Sequence, residues 1–84
     1  MEQNAMTERL PPNRELTAQQ LRVARLVALE YSDKEIAAEL GIALQTAKRH
    51  VSDIRLRLNV RTRAGIAAWV VRQGLLDGHE LPNG

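Results

Sequence analysis

Apolar side chains recur every three or four residues along the middle of the chain, a spacing typical of amphipathic helices. The first such stretch follows Thr17, a good N-cap, and Gln20 can return a hydrogen bond to the backbone N–H of that cap. Its inward-facing residues are Val23, Ala24, Leu26 and Val27. Arg22 and Arg25 are expected to face outward. The pattern predicts a first helix that ends near Leu29.

The second stretch repeats this arrangement. Ser32 is the predicted N-cap, and Glu35 completes a capping box. The inward-facing residues are Ile36, Ala37 and Leu40. Gly41 is expected to end the helix in the left-handed conformation, which glycine adopts at little cost. The sequence therefore predicts a second helix with a local signal at each end.

The third predicted helix covers residues 44–58 and has two chemically different faces. Aliphatic side chains share one face: Ala47, Val51, Ile54 and Leu58. Hydrogen-bonding side chains share the opposite face: Gln45, Lys48, Arg49 and Ser52. The helix should begin near Ala43, where no Ser, Thr, Asp or Asn is present to cap it. A poorly capped start thus stands directly before Lys48, Arg49 and His50.

A fourth helix is predicted over residues 63–73, with Thr62 as its N-cap and Gly74 at its end. It has two apolar stripes: Ile66 with Val70, and Ala64, Ala68, Val71 and Leu75. A helix with two apolar faces needs a second partner besides its own core. The second stripe is therefore the predicted interface of a homodimer, and Trp69 is expected to be a half-buried part of the scaffold.

These elements predict an all-α domain over residues 16–76, between flexible tails at 1–15 and 77–84. The chain has 84 residues, no Cys and no Phe, so its core is small and a partner subunit would stabilise it. The absence of Cys excludes a disulfide framework and a thiolate zinc site. His79, in the second tail, is uninformative.

No membrane or export segment is visible in the sequence. The longest apolar run, residues 66–71, is far too short to span a bilayer. The beginning of the chain is polar and does not read as a signal peptide. We therefore expect a cytoplasmic protein without a membrane partner.

Positive charge is concentrated in one part of the chain. The net charge is +2, yet residues 48–63 contain six basic side chains and a single acidic one, Asp53. The segments before and after this stretch are net negative. A local basic stripe attracts polyanions such as nucleic acids. The alternative is a solvated helix face with no partner.

Two helices joined by a short glycine turn predict a helix-turn-helix. Small side chains at Ala37 and Ala47 allow the two helices to cross closely. The second helix of such a unit enters the major groove of DNA. An uncapped start is tolerable there if the free N–H groups point at a phosphate; the alternative is that this end frays.

The segments KEIAAELGI, TAKRHV and LNVRTR, within residues 16–75, resemble the C-terminal DNA-binding domain of the LuxR/GerE family of bacterial transcription regulators. The resemblance implies a four-helix domain whose second and third helices form the helix-turn-helix. It also implies dimers that form through the fourth helix and bind double-stranded DNA at two half-sites. RNA polymerase is a further candidate partner, and the bound protein is expected at the nucleoid.

The chain departs from the family pattern at several positions. Ala43 stands where the family favours Ser, and Ala47 stands where it has Val. The glycine that usually ends the first helix is replaced near Glu30. Arg55 and Leu56 look exchanged, since the family has an apolar residue and then a polar one. The fold is expected to survive, with lower stability and an altered DNA preference.

By analogy with the family, Lys48, Arg49 and Ser52 point toward bases, with Gln45 at the edge. Arg and Lys match the acceptors of guanine in the major groove. Contacts with the DNA backbone are expected from Lys34, Thr46, Arg61 and Thr62. His50 lies at the border of the inward face, where it either packs locally or contacts a phosphate.

Other functions fit the sequence less well. An enzyme is not expected, because the chain shows no nucleophile with a base, no phosphate loop and no metal set. No cofactor is expected either. One alternative is an interaction module that binds and antagonises another regulator through the fourth helix. Another is a promoter-recognition domain that resembles region 4 of sigma factors.

Overall fold

Four α-helices make up residues 16–76, the part of the chain that the computed structural model describes. They are α1 (Ala18–Ala28), α2 (Asp33–Leu40), α3 (Leu44–Leu58) and α4 (Arg63–Arg72). This range contains no strand, so the predicted all-α, four-helix fold class is confirmed. The predicted ends of α1 and α4 each lie one residue too far along the chain. The predicted tails, 1–15 and 77–84 with His79, lie outside the described residues.

Three of these four helices begin with the predicted side-chain cap. Thr17 Oγ1 accepts from the Gln20 N–H at 3.0 Å, and Gln20 Oε1 accepts from the Thr17 N–H at 3.0 Å. Ser32 and Glu35 form the same reciprocal pair at the start of α2, at 3.0 and 2.8 Å. Thr62 Oγ1 accepts from the Gly65 N–H at 3.1 Å. These bonds satisfy N–H groups that the first turn leaves without a partner.

All four helices end in the same way. A residue in the left-handed region follows each one: Glu30 (φ 70°), Gly41 (66°), Asn59 (58°) and Gly74 (68°). The next N–H then donates to the carbonyl five positions back: Tyr31 to Leu26 (3.0 Å), Ile42 to Ala37 (3.0 Å), Val60 to Arg55 (2.9 Å) and Leu75 to Val70 (3.2 Å). This is the Schellman arrangement, in which an apolar residue after the left-handed one returns to the core. Tyr31, Ile42, Val60 and Leu75 all pack against the core.

The core is aliphatic and draws on every helix. α1 packs chiefly against α4, and α2 packs chiefly against α3. The largest fully buried side chains are Val23, Ile36, Ile54, Ile66 and Val70. Each contributes about 1.5–3 kcal/mol relative to an exposed position. Trp69 is buried, with 8% of its surface exposed, so the prediction of a half-buried side chain is wrong.

Two arginines tie distant segments of the chain together. Arg25 was expected to face outward, but it is half-buried and its Nε donates to the Leu75 carbonyl at 3.0 Å. Arg63 Nη1 is 2.6 Å from Asp33 Oδ1, and Arg63 Nη2 donates to the Tyr31 carbonyl at 2.6 Å. The contacts of Arg63 join the start of α4 to the start of α2. They therefore fix the position of the helix-turn-helix relative to the rest of the domain.

Candidate nucleic-acid interface

The turn between α2 and α3 brings the two helices close together. Gly41 adopts φ 66°, and the Ile42 N–H donates to the Ala37 carbonyl at 3.0 Å. Ala37 and Ala47 are both buried. Their small side chains allow the close crossing that a helix-turn-helix requires, as the sequence predicted.

α3 divides into a buried face and an exposed face. Ala47, Val51 and Ile54 are buried, and Leu58 packs half-buried beside them. The exposed side carries the predicted base-facing residues, of which Gln45, Lys48 and Arg49 are exposed and Ser52 is half-buried. Side chains from the first two turns line one open depression: Gln45, Thr46, Lys48 and Arg49. The helix therefore presents a concave, hydrogen-bonding surface at its N-terminal end.

The start of α3 has no side-chain cap. Ala43 has the extended geometry of a cap residue, with φ −70° and ψ 151°, but it offers no acceptor. The Ala47 N–H donates to the Ala43 carbonyl at 3.0 Å, which is the first hydrogen bond of the helix. The N–H groups of the preceding turn have no intrahelical acceptor. Two of these N–H groups belong to Gln45 and Thr46, which line the depression, and free N–H groups at a helix start are the kind of donor that anions bind.

The predicted backbone contacts fall in two places. Arg61 and Thr62 are exposed in the turn before α4, where they line a second open depression together with Lys48. Lys34 is exposed in the first turn of α2 and lines neither depression. The structure thus brings Arg61 and Thr62 next to Lys48 on the base-facing side of α3.

Arg55 also lines this second depression, although the sequence analysis assigns it no role. Its Nη1 donates to the Arg61 carbonyl at 3.1 Å. The signal that could have found it is its spacing, because Arg55 follows Lys48 by seven residues, or two helical turns. Arg63, in contrast, is held by Asp33 and Tyr31, so the basic stretch of residues 48–63 does not act as one exposed stripe.

Position 56 on α3 places a large apolar side chain in solvent. Leu56 is 77% exposed, and Leu44 and Val71 are also exposed. Leu56 follows Ser52 by four residues on the outward side of α3. His50 is half-buried at the edge of that side.

The predicted dimer stripe on α4 is largely on the surface. Ala64, Ala68 and Val71 are exposed, while Leu75 is half-buried and packs against the core. α4 buries its other side through Ile66 and Val70. Three of the four predicted interface residues are therefore available to another molecule.

Other kinds of site find little support in residues 16–76. Within this range no three side chains of His, Cys, Asp or Glu are grouped so that they could hold a metal ion. None of the helices formed by the described residues has the length and apolarity needed to cross a membrane.

Comparison with known proteins shows which family has this four-helix domain. Residues 14–70 match the family described as GerE, bacterial regulatory proteins of the luxR family. The oxygen regulatory protein NreC of Staphylococcus carnosus is 30% identical over 66 residues, which cover 79% of this chain and 30% of that protein. The response regulator protein VraR of Staphylococcus saprophyticus is 31% identical over 74 residues, or 88% of this chain and 35% of that protein. This chain thus spans about a third of the length of these relatives. The chain belongs to the luxR family of bacterial regulatory proteins.

Proposed function

We propose that this chain binds double-stranded DNA in a sequence-specific manner as a bacterial transcription regulator. The observation that carries the proposal is the outward face of α3. In the second helix of a helix-turn-helix, Gln45, Lys48 and Arg49 are exposed directly opposite a buried aliphatic face. Such a face places hydrogen-bonding groups where the major groove presents its donors and acceptors.

The dimensions of α3 suit this role. A helix with its side chains is about 10–12 Å wide, and the major groove is about 12 Å wide. Gln45 and Ser52 are about 10.5 Å apart along the axis, which corresponds to about three base-pair steps of 3.4 Å. Arg49 lies between them and has the forked geometry that matches guanine O6 and N7. We assign base contacts to Lys48, Arg49 and Ser52, with Gln45 at the edge.

Contacts with phosphates position α3 in the groove. The exposed side chains of Lys34, Thr46, Arg61 and Thr62 are assigned to this task. The uncapped N–H groups at the start of α3 support it, because a phosphate supplies the acceptor that Ala43 lacks. Such contacts contribute much of the affinity and carry no sequence information.

Regulation is inferred from the relatives. NreC is described as an oxygen regulatory protein and VraR as a response regulator. We assign this chain a regulatory role of the same kind, in the cytoplasm and at the nucleoid when bound. RNA polymerase is then a further partner.

We also propose a homodimer through α4, and the exposed stripe on that helix supports it. Ala64 and Ala68 are small enough for two helices to approach closely, and Val71 adds an apolar contact. Leu75 contributes at the edge. Two copies related by a two-fold axis would place their α3 helices in successive major grooves, about 34 Å apart.

Two substitutions separate specificity from affinity. We expect Arg49→Ala to cost about 1–3 kcal/mol on a duplex selected from a random pool, and much less on a scrambled duplex. Lys34→Ala should weaken binding to both duplexes similarly and reduce the salt slope by about one per protomer. Salt titrations of both variants on both duplexes measure these effects.

Equal losses on the two duplexes for Arg49→Ala would move Arg49 to the phosphate contacts. No loss on either duplex would mean that α3 does not read the groove, and the proposed function would be wrong.

The dimer is tested separately by Ala68→Glu, which places a charge in the proposed contact. We expect weaker binding to paired half-sites and an unchanged melting temperature of the monomer. Ala38→Glu, the same change at an exposed position of α2, is the matched control. Sedimentation and binding curves that Ala68→Glu leaves unchanged would rule out this interface.

A further inference from the structure

An open depression lies beside the base-facing side of α3, next to the turn that leads into α4. Its charged and polar lining comes from all three neighbouring helices and from the turn: Asp33, Lys48, Arg55, Arg61, Thr62 and Arg63. The base-reading face and this depression share Lys48. The two surfaces are therefore continuous.

The charges around the depression do not balance. Among the described residues, Asp33 is the single carboxylate that lines it, and Asp33 Oδ1 is 2.6 Å from Arg63 Nη1. The charges of Asp33 and Arg63 cancel, so the net positive charge of the lining comes from Lys48, Arg55 and Arg61. Three like charges around one concavity repel each other, so the arrangement favours an anion between them.

Arg55 is held in place by the chain itself. Its Nη1 donates to the Arg61 carbonyl at 3.1 Å, and the side chain is half-buried. This bond uses one of the five N–H donors of a guanidinium group. The remaining donors are oriented by it, and two parallel N–H groups match two oxygens of a phosphate. Less side-chain entropy is lost on binding when an arginine is already oriented.

The position of Arg55 suits a phosphate rather than a base. Arg55 lies about 10.5 Å along α3 from Lys48, on the flank that meets the turn before α4. When a helix docks in the major groove, side chains on its flanks face the sugar-phosphate strands that border the groove.

We infer that this depression seats one phosphate of the DNA strand beside the groove, and that Arg55 is the residue that binds it. Lys48 and Arg61 add charge around the same phosphate. The inference rests on the proposed function, because that function sets the orientation of α3. It makes Arg55 a residue that fixes the register of α3 on the duplex.

The test is a scan of the selected duplex with neutral methylphosphonate linkages, one position at a time. For the unmodified protein we expect about a tenfold loss of affinity at the linkage seated in the depression, as removal of a charge-assisted hydrogen bond implies, besides losses at the linkages of the other proposed phosphate contacts. Arg55→Gln should lose about as much on unmodified DNA, with a salt slope lower by about one. Because Lys48 and Arg61 still lie around that phosphate, the variant should then show a clearly smaller loss at that linkage than the unmodified protein. Arg72→Gln removes an exposed charge that lies outside the depression, and it should keep the full linkage effect.

The outcomes are distinguishable. If Arg55→Gln loses affinity at every linkage just as the unmodified protein does, Arg55 binds no phosphate, although selective DNA binding would still uphold the proposed function. If the unmodified protein does not prefer the selected duplex to a scrambled one, the proposed function fails first.

Melting curves check folding, and Arg55→Lys serves as a second variant. Arg55→Lys should keep the salt slope and show a smaller linkage effect; an unchanged linkage effect in this variant would also overturn the inference.

Discussion

The three residues before α2 and the three residues before α3 follow the same backbone path with different side chains. Each junction begins with a left-handed residue, Glu30 at φ 70° and Gly41 at φ 66°. An apolar residue follows, and its N–H donates to the carbonyl five positions back at 3.0 Å in both junctions. Each junction ends with an extended residue before the helix, Ser32 or Ala43.

The two junctions differ in which residue adopts the left-handed conformation and in whether the following helix has a side-chain cap. The first places a glutamate in the left-handed region, at a cost of about 1–2 kcal/mol, and gains a capping box from Ser32. The second has a glycine in the left-handed region and no cap at Ala43. The first junction satisfies its own N–H groups. The second leaves them open at the surface that we propose for DNA.

The largest effect is expected from Gly41→Ala. An added Cβ at Gly41 would meet nothing within 4 Å, so the substitution isolates the strain of φ 66°. We expect the free energy of unfolding to fall by about 1–2 kcal/mol, as measured by urea denaturation.

Gly74→Ala is the matched control, since Gly74 has φ 68° and equally open space. Both variants should lose similar stability, and Gly41→Ala alone should also weaken DNA binding, because Gly41 sets the angle of α3. An unchanged stability in both variants would mean that the left-handed geometry costs alanine nothing here.

Removal of the cap before α2 comes next. Ser32→Ala deletes the acceptor for the Glu35 N–H, and we expect a loss of about 1 kcal/mol in unfolding free energy. Ser52→Ala, which removes a hydroxyl that caps no helix, should lose clearly less. Equal losses in the two variants would show that the capping box adds nothing.

A smaller effect of opposite sign is expected from Glu30→Gly. The substitution relieves the strain of φ 70°, and it also adds freedom to the unfolded chain. We expect a net gain of about 0.5–1 kcal/mol in unfolding free energy. Glu30→Gln removes the charge but keeps the strain, so a gain in that variant as well would assign the effect to the charge.

Local patterns in the sequence predicted most of the fold. The caps at Thr17, Ser32 and Thr62 were found because each one depends on residues within three positions. The two faces of α3 were found because they follow from the helical period alone. The burial of Trp69 was missed, since it depends on how α4 packs against the rest of the domain.

Contacts between distant residues limited the prediction of the site. Arg25 meets a carbonyl 50 positions away, and Arg63 meets Asp33 across 30 positions, so neither role is visible in a run of charges. Arg55 was missed for a different reason: its partner is a carbonyl only six positions away, in a turn that folds back on α3, and a pattern of side chains does not show a contact with the backbone. Lys48, Arg49 and Gln45 needed no such contact, and their exposure on α3 agrees with the helical period.

The smallest effect is expected at Ala43, and it has two parts. Ala43→Ser gives the start of α3 the acceptor that it lacks, so the free protein should gain about 0.5 kcal/mol in unfolding free energy. If a phosphate uses the same N–H groups in the DNA complex, the new hydroxyl competes with it. The dissociation constant for DNA should then rise about twofold, the factor that corresponds to the same free energy.

Ala43→Gly, which changes the residue at the cap position without adding an acceptor, should change stability less and leave the affinity nearly unchanged. Urea denaturation and DNA titrations on these two variants measure both parts. A serine variant that is more stable and binds DNA as tightly as the unmodified protein would show that no phosphate occupies the start of α3.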